Sequence, residues 1–207
     1  SLINEIKSGN DLIISKTNQT IQKTRIIGNQ QQIVRIDRDT SYIENSDIIK
    51  IIDSIKNTVR NMDAVIVSDY AKGVCNEEIV NEVILHSKKY DIPVFVDPKG
   101  ENYIKYKNAT CITPNLIEAE KIFSKKLKNK KSYFSACNFI MKKFEIESCI
   151  TTLGEYGLAY VDRNNKFYID AIKNCPENFP QCLKSMVLQL QLQIVIHMLR
   201  WPNDLNK

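Results

Sequence analysis

Two short apolar runs, each leading straight into a polar motif, constrain this chain more than any other feature. Val94-Phe95-Val96 leads into Asp97-Pro98-Lys99-Gly100, and Ala109-Thr110-Cys111-Ile112 leads into Thr113-Pro114-Asn115-Leu116-Ile117-Glu118. Short β-prone runs closed by proline or glycine read as strands. In an open α/β sheet, ligands bind outside the carboxyl ends of the strands. Polar motifs at consecutive strand ends therefore point to one crevice. Carboxylates, a lysine and an asparagine in that crevice suit a nucleotide phosphate and its metal ion.

Helical stretches alternate with such runs. Residues 46–60 predict a helix: Ser46 is its expected cap, Asp47 complements its positive end, and Ile48, Ile52, Ile55 and Val59 share one face. Residues 63–68 predict a buried strand. Residues 76–90 predict a second helix, with Asn76 as cap, Glu77 and Glu78 in the first turn, and Ile79, Val80, Val83 and Ile84 turned inward. Strands are expected at 93–97, 109–113 and 148–152, and helices from about 115 to 123 and from 132 to 144. A further strand pair is expected at 157–161 and 166–169. This alternation argues for an α/β fold, a mainly parallel sheet flanked by helices. Residues 11–16 and 23–37 read as β, with a turn at Asn29-Gln30-Gln31-Gln32.

The bulk numbers exclude several classes. With 207 residues, 43% hydrophobic and 26% charged, the chain has the makings of an ordinary globular core. The net charge of +5 is concentrated in Lys125-Lys126-Leu127-Lys128-Asn129-Lys130-Lys131. That run carries no interleaved aromatics, so a solvated loop or helix end is expected rather than a nucleic-acid patch. Six cysteines (75, 111, 137, 149, 175 and 182) and two histidines lack zinc-ligand spacing. Cysteines within apolar runs suit buried reduced thiols and a cytoplasmic location. No apolar run approaches the ~20 residues needed to span a bilayer, so no membrane partner is expected. The opening Ser1-Leu2-Ile3 lacks an initiator methionine, as expected of a fragment or a processed chain.

Four segments in order carry a family resemblance. They are Lys23-Thr24-Arg25 with Gln31-Gln32-Ile33-Val34-Arg35-Ile36-Asp37, Val67-Ser68-Asp69-Tyr70-Ala71-Lys72-Gly73, Val96-Asp97-Pro98-Lys99-Gly100, and Thr113-Pro114-Asn115-Leu116-Ile117-Glu118. Their order and spacing, over about residues 12–170, resemble the ribokinase-like (PfkB) carbohydrate kinases. Within that family they look most like the kinase domain of bifunctional heptose-7-phosphate kinase/heptose-1-phosphate adenylyltransferases. The resemblance implies a ribokinase-like fold with a small β lid. It implies an ATP- and Mg-dependent phosphorylation of heptose 7-phosphate to heptose 1,7-bisphosphate, in ADP-heptose synthesis for the lipopolysaccharide core. Another sugar or a nucleoside is the alternative substrate. The adenylyltransferase domain of the bifunctional relatives is not expected in these residues.

From the residues alone, Asn115 and Glu118 are a capping asparagine and a first-turn glutamate. The resemblance implies that they lie at the nucleotide phosphates, with Glu118 at the magnesium through water. Asp69 and Lys72 read alone as a turn with a local ion pair, and by resemblance as supporting residues of the transfer crevice. Gly73 fits a left-handed turn. Lys99 is a surface lysine in a turn, or a mobile charge reaching a phosphate. Thr152-Leu153-Gly154-Glu155-Tyr156-Gly157 is a hairpin turn or, by resemblance, the turn beside the nucleotide, with Thr152, Gly154 and Gly157 as its contacts. Lys23, Arg25, Gln31 and Arg35 fall on an amphipathic sheet. The resemblance makes that sheet a lid over a sugar-phosphate substrate and a possible homodimer contact, with lid strands at about 11–37.

The family's Gly-Ala-Gly-Asp segment supplies an anion hole at a helix start and the aspartate base. No such segment occurs in the 207 residues. After Lys173 come Asn174-Cys175-Pro176 and then an apolar residue at every second position from Leu188 to Met198. The expectation is a partial kinase domain over 1–173, incomplete at both ends, and an atypical tail over 174–207 arising from a shifted reading frame. Activity is expected to be impaired; the alternative is a non-catalytic remnant with residual nucleotide binding or self-association.

Overall fold

The computed structural model describes residues 13, 15, 21–29, 31–39 and 42–171. They fall into two compact units, unit 1 up to Ala109 and unit 2 from Thr110 onward. The strand expected at 11–16 lies, apart from residues 13 and 15, outside the described residues, and so does the tail from 174.

Unit 1 begins with an antiparallel hairpin, β1 (Gln22–Gly28) and β2 (Gln31–Arg38). Asn29 at its turn has φ 48°, a left-handed conformation that asparagine tolerates. The register slips between Ile26 and Ile27. Nearly every residue of the hairpin is exposed, including Ile26, Ile27, Ile33, Val34 and Ile36.

Helix α1 (Asn45–Thr58) continues into a 3-10 turn at Val59–Asn61. Ser46 is not its cap. Glu44 holds that position without a side-chain cap bond. Asp47 is buried and accepts a 2.8 Å hydrogen bond from Lys50 Nζ. Helix α2 (Glu77–Lys89) starts as expected, with Asn76 Oδ1 accepting from the Ile79 amide at 2.9 Å. Ile48 and Ile52 of α1 pack with Ile79 of α2, and Ile43, Ile51 and Ile55 lean on them. Burying a side chain of this size contributes about 1.5–3 kcal/mol.

Strand β3 (Val65–Ser68) pairs in parallel with β4 (Val94–Asp97), bringing Ser68 opposite Asp97. Val94, Phe95 and Val96 are buried as expected. β3 is not the buried strand that its apolar run suggests: only Val67 is buried, and Ile66 is 60% exposed. Among the described residues, nothing covers the Ile66 face.

Unit 2 holds β5 (Cys111–Ile112), α3 (Leu116–Phe123), α4 (Lys130–Phe144), β6 (Ser148–Thr152), β7 (Leu158–Val161) and β8 (Lys166–Ile169). β5 and β6 run parallel, whereas β6, β7 and β8 are successively antiparallel. Helix α4 buries Tyr133, Ala136, Cys137, Ile140, Met141 and Phe144, a single stripe at helical spacing. Its start lies earlier than Ser132, because Asn129 caps it reciprocally with Ser132. In the lysine-rich run before it, Leu127 is buried, while Lys126 pairs with Glu120 at 2.6 Å. Cys111, Cys137 and Cys149 are buried free thiols, and burial pushes Cys111 up to about 12. Cys175 and Cys182 lie outside the described residues. No helix among the described residues is long and apolar enough to cross a membrane.

Candidate functional site

In unit 1 the carboxyl ends of β3 and β4 are locked together by a buried acid. Asp69 follows β3 directly and is 4% exposed. Its amide donates to the Asp97 carbonyl at 3.0 Å, extending the β3–β4 ladder by one bond. Its carboxylate accepts from Lys105 Nζ at 2.5 Å, from the Tyr106 hydroxyl at 2.6 Å and from the Ala71 amide at 2.6 Å. Burial alone would raise the Asp69 pKa. The hydrogen bonds from Lys105, Tyr106 and Ala71 outweigh burial and hold the carboxyl below its usual range. The amide bond also holds Ala71 at φ 54°, a strained conformation for a residue with a Cβ. Gly73, two residues on, takes φ 95°.

Lys105 and Tyr106 come from a 3-10 turn, Ile104–Tyr106. Lys105 Nζ also donates to the Cys75 carbonyl at 2.8 Å. The Tyr106 oxygen meets the Lys99 amide and carbonyl, each at 3.3 Å. One phenol therefore ties the Asp97-Pro98-Lys99-Gly100 loop to Asp69. The partner of Asp69 is Lys105, not the neighbouring Lys72 that a local turn suggests. Lys72 Nζ instead pairs with Asp39, just past β2.

A cavity of about 390 Å³ lies beside this cluster. It is lined by Ile21 and Lys23 from the hairpin side and by Ser68, Asp69, Tyr70, Lys72, Val74 and Cys75 from the β3 side. The Cys75 thiol is pushed up to about 11 by burial and by the Asp69 charge. Of the expected lid residues, Lys23 reaches this cavity. Arg25, Gln31 and Arg35 are not part of its wall. Arg35 is engaged on its own strand, with Nη2 2.6 Å from Asp37. That pair relieves the repulsion of Arg25 directly across the hairpin. Lys99 is exposed and is not part of the wall.

In unit 2, Asn115 and Glu118 form a reciprocal cap. Asn115 Oδ1 accepts from the Glu118 amide at 3.0 Å, and Glu118 Oε2 accepts from the Asn115 amide at 2.9 Å. Thr152 forms a parallel bridge with Asn115, its amide donating to the Pro114 carbonyl at 3.0 Å. Thr152, Asn115 and Glu118 are thus brought together at the ends of β5 and β6. Gly154 and Gly157, in the turn that follows, differ. A Cβ on Gly157 would stand 1.9 Å from the Ile169 carbonyl oxygen, whereas one on Gly154 would meet nothing within 4 Å. Gly157 is required by packing, and Gly154 leaves open space beside its backbone. No group of three or more His, Cys, Asp or Glu suited to a metal occurs among the described residues.

Sequence reasoning missed Lys105 and Tyr106. Neither lies in a motif, and nothing local marks them, because their partner is 36 and 37 positions away. Tyr70 and Cys75 also line the cavity unforeseen.

Comparison with known proteins gives the family and the fold. The chain is 35% identical over 166 residues to the bifunctional protein HldE of Helicobacter acinonychis (strain Sheeba), covering 80% of this chain and 35% of that protein. It spans about a third of the length of the curated relatives it matches. In fold it is similar to phosphofructokinase-2 from Escherichia coli, solved in complex with substrates and products, with TM-score 0.59, 17% identity and coverage of 79% of this chain and 55% of that one. It is also similar to Arabidopsis thaliana ribokinase complexed with ribose and ATP, with TM-score 0.50, 15% identity and coverage of 69% and 46%. These likenesses give an α/β, ribokinase-like fold. Residues 9–176 match the pfkB family carbohydrate kinase pattern, and the chain belongs to that family.

Proposed function

We propose that the chain is part of an ATP-dependent heptose-7-phosphate kinase, forming heptose 1,7-bisphosphate for ADP-heptose and lipopolysaccharide-core synthesis in the cytoplasm. The observation that carries the reading is the unit 1 cavity at the end of β3, which joins a lysine of the hairpin to the Ser68–Lys72 loop. A sugar kinase mainly positions a hydroxyl and neutralises charge. The Asp69–Tyr106–Lys99 linkage serves the first task, since it fixes two strand-end loops of unit 1 against each other. Asp69 supports the site through these ties and Lys72 through its pair with Asp39, and Lys99 supplies a mobile charge.

On the nucleotide side we assign Asn115, Glu118, Thr152, Gly154 and Gly157. Glu118 fits Mg²⁺: it offers hard carboxylate oxygens at a helix start, and Mg²⁺ is commonly held by one or two carboxylates together with phosphates and water. When bound, the ion would neutralise charge on the phosphates. Asn115 orients Glu118 through the reciprocal cap. Without a Gly-Ala-Gly-Asp segment, this stretch by itself recognises its ligands and transfers phosphate poorly.

The test is direct. The chain is incubated with ATP, Mg²⁺ and heptose 7-phosphate, with ADP release followed, and is titrated separately with a non-hydrolysable ATP analogue. Nucleotide binding with weak turnover is the expected result. No heat and no thermal shift with either ligand would end the kinase reading.

A second reading, self-association through the lid, is favoured by the exposed Ile26, Ile27, Ile33, Val34 and Ile36 of the hairpin. Sedimentation of the parent chain and of Ile33→Lys tests it. A monomer in both cases would exclude it.

A further inference from the structure

The turn between β6 and β7 is held by a strand it does not belong to. It includes a 3-10 turn, Gly154–Tyr156, and closes on itself by three backbone bonds. The Leu153 amide donates to the Gly157 carbonyl at 2.8 Å, the Tyr156 amide to the Leu153 carbonyl at 3.3 Å, and the Gly157 amide to the Gly154 carbonyl at 3.1 Å. All three lie within residues 153–157, so they set the shape of the turn and not its place on the unit. Two contacts from β8 set the place. Gly157 is pressed against the Ile169 carbonyl, where a Cβ would stand 1.9 Å away. The Tyr156 carbonyl accepts a hydrogen bond from the Tyr168 hydroxyl.

Tyr168 is itself held in place. Across the hairpin it pairs with Ala159, whose small buried side chain leaves room for the ring on the same face of the sheet. The ring lies nearly parallel to that of Tyr133 on α4, with centroids 6.1 Å apart and planes at 7°. Lys130, in the first turn of α4, places its Nζ 4.2 Å from the Tyr168 ring centroid and 3.7 Å from the Asp170 carboxylate. Burial, the Asp170 charge and Tyr133 raise the Tyr168 pKa, so the hydroxyl keeps its proton as a donor well past neutral pH.

We propose that Tyr168 is a positioning residue of the nucleotide-side turn, fixing the Gly154 backbone through the Tyr156 carbonyl. The proposal rests on the nucleotide reading of Thr152, Gly154 and Gly157. A glycine has the most backbone freedom to lose, and a Cβ on Gly154 would meet nothing within 4 Å, so no packing of its own holds it. A backbone that is placed before its ligand arrives avoids the ordering cost at the moment of binding. Tyr168 meets that need from outside the turn and acts only through one carbonyl.

Calorimetry with a non-hydrolysable ATP analogue and Mg²⁺ tests the proposal on the full chain, with amide hydrogen exchange followed at residues 153–157. Tyr168→Phe keeps the ring and removes the hydroxyl. The expected result is a fall in analogue affinity of about fivefold, the yield of one ordinary hydrogen bond, together with faster exchange in the turn. The bond lies at the surface, so the urea midpoint and the exchange of α4 and β6 should stay those of the parent. A general loss of stability would move all of them together. Equal affinity in parent and Tyr168→Phe, unchanged exchange at 153–157, or a lower midpoint alongside the lost affinity overturns the proposal and leaves the kinase reading standing. A parent with no affinity for the analogue fails the nucleotide side itself, and the proposal falls with it.

Discussion

Asp69 in unit 1 and Glu118 in unit 2 look alike on paper, each an acid in a polar motif that follows a short apolar strand. The structure gives them different partners. Asp69 is buried and satisfied by Lys105 and Tyr106, far along the chain. Glu118 is half-buried and bonded to the amide of Asn115, three residues back. The first acid is part of the tertiary framework of its unit. The second belongs to a helix start whose cap is closed by two residues only three apart. The same motif grammar therefore hides two energetic situations: a desolvated ion pair costly to break, and a local cap of modest worth.

The largest effect is expected from breaking the first. Lys105→Met strands a buried carboxylate and should cost about 3–5 kcal/mol in urea unfolding. Adding Asp69→Asn should recover part of that loss, since the stranded charge is then removed. A single-variant cost under about 1 kcal/mol would mean that Asp69 is not bound as described. The same ion pair carries a pH signature. Because the folded Asp69 pKa lies below its ordinary 3.8, its contribution is complete above that value and is lost as pH falls through the folded one. Acid unfolding of the parent should steepen in that window, and Asp69→Asn should flatten it.

Next in size is a contrast within unit 2. Gly157→Ala forces a Cβ against the Ile169 carbonyl and should cost about 2–4 kcal/mol. Gly154→Ala, at φ 61° in open space, should cost about 1–2 kcal/mol by thermal melting. Equal losses would show that the turn shifts freely. Smaller again is the cap, where Asn115→Ala should cost about 1 kcal/mol. Glu118→Gln keeps a group able to accept the Asn115 amide, so stability should move by only a few tenths of a kcal/mol. A fall of tenfold or more in Mg²⁺-dependent ATP-analogue affinity with that variant would assign Glu118 to the metal; equal affinity would leave it a cap. The smallest effect belongs to Lys72→Met, which removes a partly exposed pair worth about 0–1 kcal/mol.

Local physics made much of this molecule legible from the chain alone. The Asn76 and Asn115 caps, the inward faces of α1 and α2, the buried β4 and the final strand pair follow from spacing within a few residues. Errors came where the local signal was weak or the outcome depended on distant chain. Ser46 was the better cap by type, yet Glu44 holds the position. The Val65–Val67 run reads as buried, yet burial depends on what covers a strand, and the Ile66 face has no described cover.

The division between sequence and structure follows sequence distance. A reciprocal cap needs two residues three apart, so their order in the chain already fixes it. The choice of Lys105 over Lys72 for Asp69, of Asp39 for Lys72, and of Lys23 over Arg25 and Arg35 for the cavity wall needs strands brought into register and loops closed over tens of residues. Only the folded chain places those groups within hydrogen-bonding range, so the ownership of each charge was decided by tertiary structure.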